Sequence, residues 1–188
     1  MSRRSVLLVA VMFVGCRDAA EDVVEEPPPA VGTDFSRLPE VLTGVQKTGR
    51  VVLYEGLPSE FWEPQLREQL FSQKDTLDVH GYPVHDEQLT PSSTDAEQLT
   101  SLFSARESFQ AINKSDRKTC GGFTAEYCVE WTTGETVTQA LICLECGEVM
   151  LFGPQTELHC NLSPDTAKRL KQLLSPYQKN APKEKPNA

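Results

Sequence analysis

Basic residues are in short supply in this chain. Its 188 residues hold 18 Lys and Arg against 27 Asp and Glu, a formal charge of −9. Phosphate backbones and anionic membrane surfaces are bound by surplus Lys and Arg, so that deficit excludes nucleic acid as a partner and excludes a polybasic membrane-surface module. Long hydrophobic runs are missing too: after the leading segment, no stretch has the roughly 20 apolar residues of a spanning helix. Phosphate-cradling glycine loops of the G-x-x-x-x-G-K-[ST] or G-x-G-x-x-G kind are absent. The histidines are His80, His85 and His159, and none stands in the serine-elbow or Cys-His context that marks a nucleophile. There is no second Cys-x-x-Cys and no internal repeat. What is there is a hydrophobic fraction of 39%, too high for a wholly disordered chain and enough for one packed domain with tails.

The leading segment carries the clearest message. Ser2-Arg3-Arg4 is a positive n-region, and Val6 to Val14 is an apolar run far too short to span a bilayer, the pattern of an export signal. Phe13-Val14-Gly15-Cys16 resembles the lipobox of bacterial lipoproteins, matching at Gly15 and Cys16 and carrying Phe13 where the family prefers Leu. The resemblance implies cleavage before Cys16, diacylation of its sulfur, and attachment through membrane lipid on the extracytoplasmic side, at a periplasmic face or the cell surface. Several acyl chains at about 0.8 kcal/mol per buried methylene make a firm anchor. The competing reading is a plain secretory signal with a free Cys16. Ser2-Arg3-Arg4-Ser5-Val6-Leu7 also looks like a twin-arginine export motif, which would deliver a folded protein; the general secretory route would deliver an unfolded one.

Four regions follow: a signal peptide over 1–15, a tether over 16–35, a globular domain over 36–177 and a disordered tail over 178–188. Like charges (Asp18, Glu21, Asp22, Glu25, Glu26) and Pro27-Pro28-Pro29 extend the tether, and proline and charge mark the tail. In the domain, Val51 to Tyr54 and Thr76 to His80 read as short strands. Leu66, Leu70 and Phe71 predict a helix near 62–73 with Pro64 in its first turn. Thr94 and Glu97 have capping-box spacing ahead of Leu99, Leu102 and Phe103. Ser163-Pro164 opens a third helix lined by Ala167, Leu170 and Leu174. Between the last two helices, 127–132, 137–143 and 149–152 form an antiparallel meander, with a fourth strand at Leu158. The expected class is α+β, a β-meander packed against about three helices in one domain.

Val52-Leu53-Tyr54-Glu55-Gly56-Leu57-Pro58, His80-Gly81-Tyr82-Pro83, Cys120-Gly121-Gly122-Phe123, Tyr127-Cys128-Val129-Glu130-Trp131 and Leu141-Ile142-Cys143 with Cys146 resemble an uncharacterised family of exported bacterial proteins. The last two blocks are the most specific. In that family a His often follows the second cysteine; Gly147 stands there in this chain, so no role for that His carries over. The resemblance implies a fold and a location and no chemistry.

Five cysteines remain after Cys16: Cys120, Cys128, Cys143, Cys146 and Cys160. Three readings of Cys143-Leu144-Glu145-Cys146 stay open. Thioredoxin-like redox chemistry needs a thiol at a helix N-terminus, and this motif joins two apparent strands. A metal knuckle for zinc or iron fits a Cys-x-x-Cys-Gly turn but needs two more ligands, from Cys120, Cys128, His159 or Cys160. The structural reading has disulfides or buried thiols: cysteines about 5.5 Å apart at Cα are within bonding reach, and Cys120 is another partner for Cys128 or Cys160. Glu126 and Glu130 read as an exposed polar strand face rather than an acid–base pair, and Trp62 and Trp131 as packing residues. The sequence thus predicts a binding or structural domain without catalysis. The alternative is a metal-binding protein with a zinc or iron knuckle, or a thiol–disulfide protein, using Cys143 and Cys146; no cofactor is expected under the first reading, and zinc is the candidate under the second.

Overall fold

The computed structural model describes residues 31–46, 49–113 and 121–180. Four helices and eight strands follow in order: α1 (Leu38–Gln46), β1 (Arg50–Glu55), α2 (Pro64–Gln73), β2 (Thr76–Val79), β3 (Tyr82–His85), α3 (Ser93–Ser104), β4 (Phe109–Gln110), β5 (Tyr127–Thr133), β6 (Thr136–Cys143), β7 (Glu148–Phe152), β8 (Glu157–Leu162) and α4 (Pro164–Leu174). The class is α+β, as expected. Six strands form one antiparallel sheet in the order β1-β5-β6-β7-β8-β4, and β2 and β3 form a separate hairpin.

Strand alternation sorts the core into two. Tyr127, Val129 and Trp131 of β5, with Ala140 and Ile142 of β6 and Val149 and Leu151 of β7, point to the face covered by α1, α3 and α4. Cys128, Leu141, Met150 and Phe152 point the other way, where Val79 and Val84 of the hairpin meet Val52 and Tyr54 of β1. Both faces are therefore buried near the start of β5, which explains why 140–142 is continuously apolar.

The meander from β5 to β8 is the expected one, with Glu157–Leu162 as its fourth strand. The helix count is corrected from three to four. Leu38, Val41, Leu42 and Val45 have helical spacing and are buried, but Pro39 and Gly44 disguise the pattern. Pro39 falls in the first turn, where a missing N–H costs nothing. The start of α3 is also corrected: the Ser92 hydroxyl accepts the Asp95 N–H at 3.1 Å, two residues before the expected cap. At α4 the expected cap forms, with Thr166 N–H donating to Ser163 Oγ at 3.3 Å.

Edge strand β1, and the part of β8 that short β4 leaves unpaired, both bond to further backbone. Leu53 and Leu89 exchange backbone bonds of 2.9 and 2.8 Å along β1, and His159 N–H on β8 donates to the Gly32 carbonyl at 2.7 Å. Covered edges resist pairing with other chains. Segments assigned to tether and tail thus take part in the fold: Gly32 at one end, and at the other Lys179 and Asn180, whose backbone N–H groups donate to the Glu55 carboxylate at 2.9 and 2.9–3.0 Å.

Candidate functional site

Where β1 ends, β5 begins and β6 turns, the strand ends spread apart and leave a cleft of about 320 Å³. Glu55, Leu57, Pro58 and Glu63 line one side, Glu126, Tyr127, Leu144 and Glu145 the other, and Lys171 and Gln178 close it from α4 and the chain after it. The backbone sets this geometry. Gly56 N–H donates to the Glu126 carbonyl at 2.8 Å and Glu126 N–H to the Ile142 carbonyl at 2.8 Å, so three segments are pinned together.

Three polar side chains that act on one another through space, Glu55, Glu126 and Tyr127, line the cleft. The Glu126 carboxylate accepts the Glu145 N–H at 2.8 Å. Burial raises its pKa above the usual glutamate range, while the Glu145 and Leu144 amides pull it back. Lys171 acts on it only through space, since no ion pair joins them among the described residues. The Tyr127 side chain is 6% exposed, and its hydroxyl makes no hydrogen bond among the described residues. Burial, then Glu55 and Glu126, hold that phenol firmly protonated. Glu55 is buried as well, with Asn180 Nδ2 donating at 2.8 Å in addition to the two backbone N–H groups.

The cysteine turn borders this cleft through Leu144 and Glu145. Cys143 is a buried free thiol, and Cys146 is disulfide-bonded. Cys143 Sγ accepts the Cys146 N–H at 3.3 Å. Cys146 Sγ lies 3.4 Å from the Gly122 carbonyl oxygen; a disulfide sulfur has no proton, so this is a contact and not a hydrogen bond. Gly147 follows at φ +64, a left-handed position that glycine takes without the steric cost a Cβ brings.

Cys128 and Cys160 are free and buried on opposite faces of the sheet. Burial pushes Cys143 up to about 11 and Cys128 and Cys160 up to about 12. Cys120 and Cys16 lie outside the described residues. Among the described residues no group of three or more His, Cys, Asp or Glu is placed to hold a metal ion. No helix among them is long and apolar enough to cross a membrane.

The remaining sequence-stressed residues are spread out. His80, in the hairpin turn at φ 54, stacks on Phe152 with centroids 3.6 Å apart and bonds Gln139 Oε1 at 2.9 Å. His159 Nε2 pairs with Glu148 Oε2 at 3.1 Å. Glu130 accepts from Gln139 Nε2 at 2.9 Å and does not meet Glu126, which sits half-buried in the cleft rather than on an exposed strand face. Trp131 is core. Trp62 is not: it is 51% exposed, edge-on to Phe61 at 4.6 Å.

His85 was not singled out as a site residue, and its setting is unusual. It is buried beside a second hollow of about 440 Å³ walled by Lys74, Asp75, Asp86 and Glu87, and neither ring nitrogen has a partner among the described residues. Burial lowers its pKa, with Lys74 assisting and Glu55, Asp86 and Glu87 opposing. The unfolded chain then binds a proton that the folded one refuses. Stability is accordingly complete above the unfolded value of about 6.5 and declines as pH falls through it toward the lowered folded value. Urea unfolding at pH 7.5 and 5.5 is expected to show this loss, and His85→Leu to remove most of the difference.

Compared with known protein families, characterised proteins and solved structures, the chain matches none. The cleft residues Glu55, Tyr127 and Lys171 were missed in the sequence. The available signal was an acidic residue ending an apolar strand immediately before a glycine, Glu55-Gly56.

Proposed function

We propose that this chain is a lipid-anchored extracytoplasmic domain that binds through the cleft beside its cysteine turn and performs no catalysis. One observation carries the choice against thiol chemistry: the two sulfurs of Cys143-Leu144-Glu145-Cys146 are chemically unlike. One is in a disulfide and the other is a buried thiol at about 11, so they do not form a dithiol couple, and a thiol so rarely ionised is a poor nucleophile. The neighbouring cleft, by contrast, gathers carboxylates and a phenol from separate segments around apolar walls, the usual composition of a binding site. The anchor is supported by the lipobox-like Gly15-Cys16 behind its short apolar run.

Two measurements test this. Metabolic labelling with an alkyne fatty acid is expected to mark the parent and not Cys16→Ser; equal labelling of both would remove the anchor. Thiol titration of the folded protein at pH 8 is expected to be slow until denaturant is added. Rapid reaction at Cys143, with reductase turnover, would instead establish the redox reading.

A further inference from the structure

We propose that the ligand of this cleft is a primary ammonium on a short apolar stem, received by the Tyr127 hydroxyl and the Glu126 carboxylate; this rests on the cleft being the binding site.

The charge count points to a cation. Glu55, Glu63, Glu126 and Glu145 line the cleft against Lys171 alone among its lining residues. Glu55 is already engaged by Lys179 and Asn180, which leaves Glu126 as the buried carboxylate of the cleft to receive a charge. An anion would add like-charge repulsion to the burial cost that Glu126 already bears, whereas a cation would offset it.

Tyr127 is the independent observation. A phenol more than nine-tenths buried normally has a hydrogen-bond partner, because an unmet polar group in the interior is costly. This hydroxyl has none among the described residues, and Tyr127 is one of the residues that line the cleft. Its oxygen is an acceptor that a three-donor ammonium satisfies together with a carboxylate. The apolar walls Leu57, Pro58 and Leu144 suit a methylene stem. At about 30 Å³ per water, the volume of about 320 Å³ corresponds to on the order of ten waters, room for a lysine side chain or a small alkylamine with several waters beside it. A free amine and a lysine presented by another protein share this chemistry.

The test uses the full chain, isotope-labelled and purified in a non-ionic detergent. Amide resonances of Leu144 and Glu145 are followed while n-pentylammonium, n-pentanol or pentanoate is added. Saturable shifts with n-pentylammonium alone are expected. Tyr127→Phe, which keeps the ring, and Glu126→Gln are each expected to weaken it about fivefold or more. A peptide with one exposed lysine, run beside its acetylated form, separates a protein-borne amine from a free one. If pentanoate or pentanol saturates the same amides as tightly, the cation assignment falls and the cleft remains a binding site. If no probe moves these amides, both the assignment and the cleft reading fall. Unchanged affinity in Tyr127→Phe would also overturn the proposal.

Discussion

Gly56→Ala is expected to cost the domain about 3 kcal/mol or more, a large share of the roughly 5–15 kcal/mol that holds an ordinary domain folded. An added Cβ would lie 1.6 Å from the Ala125 carbonyl oxygen, 2.7 Å from its carbon and 3.0 Å from the Glu126 carbon, all of them backbone. The chain cannot retreat, because Gly56 N–H is bonded to Glu126 on one side and Gly56 bridges to Val84 on the other. The need here is close approach, not an unusual backbone angle. Gly44 is the internal comparison: its added Cβ would meet Thr138 Oγ1 at 2.1 Å, a side-chain atom that can rotate away. Urea midpoints of the two variants measure the contrast. A Gly56→Ala protein as stable as its parent would refute the packing of β1 against residues 125–126 and, with it, the shape of the cleft.

Trp131→Ala should remove about 3–5 kcal/mol, the usual range for emptying a large aromatic site in a core. The ring is 1% exposed at the centre of the helix-covered face, tilted against Phe103 at 4.9 Å. Its indole N–H donates to Thr100 Oγ1 at 3.2 Å, so sheet and α3 are joined by a polar bond as well as by area. Trp131→Phe should cost clearly less, since most of the buried surface is kept. Denaturant unfolding followed by far-ultraviolet dichroism, which does not depend on the indole, ranks parent, Phe and Ala. Equal stability for Ala and parent would mean that α3 does not rest on β5.

The part of the fold that could be read in advance was the part written locally. In 127–152 each strand is an alternating or continuously apolar run and each turn has its glycine, so order and direction follow from neighbours in sequence. Leu38 to Val45 has the same quality of signal, but two breaker residues mask it, and only the position of Pro39 within the first turn makes it harmless. β4, two residues long, has no period to detect; its pairing of Phe109 with Leu162 exists because a distant strand is there to receive it. The cleft is the extreme case. Glu55, Glu126, Tyr127, Glu145 and Lys171 come from β1, β5 and its approach, a turn and a helix, and each alone reads as an ordinary surface or strand residue. Burial of Glu126 and Tyr127, which gives them their chemistry, is a property of the assembled sheet. The cysteine turn was conspicuous for the opposite reason: its spacing is visible, but spacing does not say that one sulfur is sealed in and the other oxidised.

The grip of Glu55 on Lys179 and Asn180 bears on how the protein can be trimmed. A worker removing the charged extremity for crystallisation would naturally cut just after Tyr177, where the last helical turn stops. That cut would strip an interior acid of three donors at once and open one wall of the cleft, so an innocuous-looking stop codon would damage the end of a strand that lies far away in the sequence. Ending the chain beyond Asn180 keeps the latch closed.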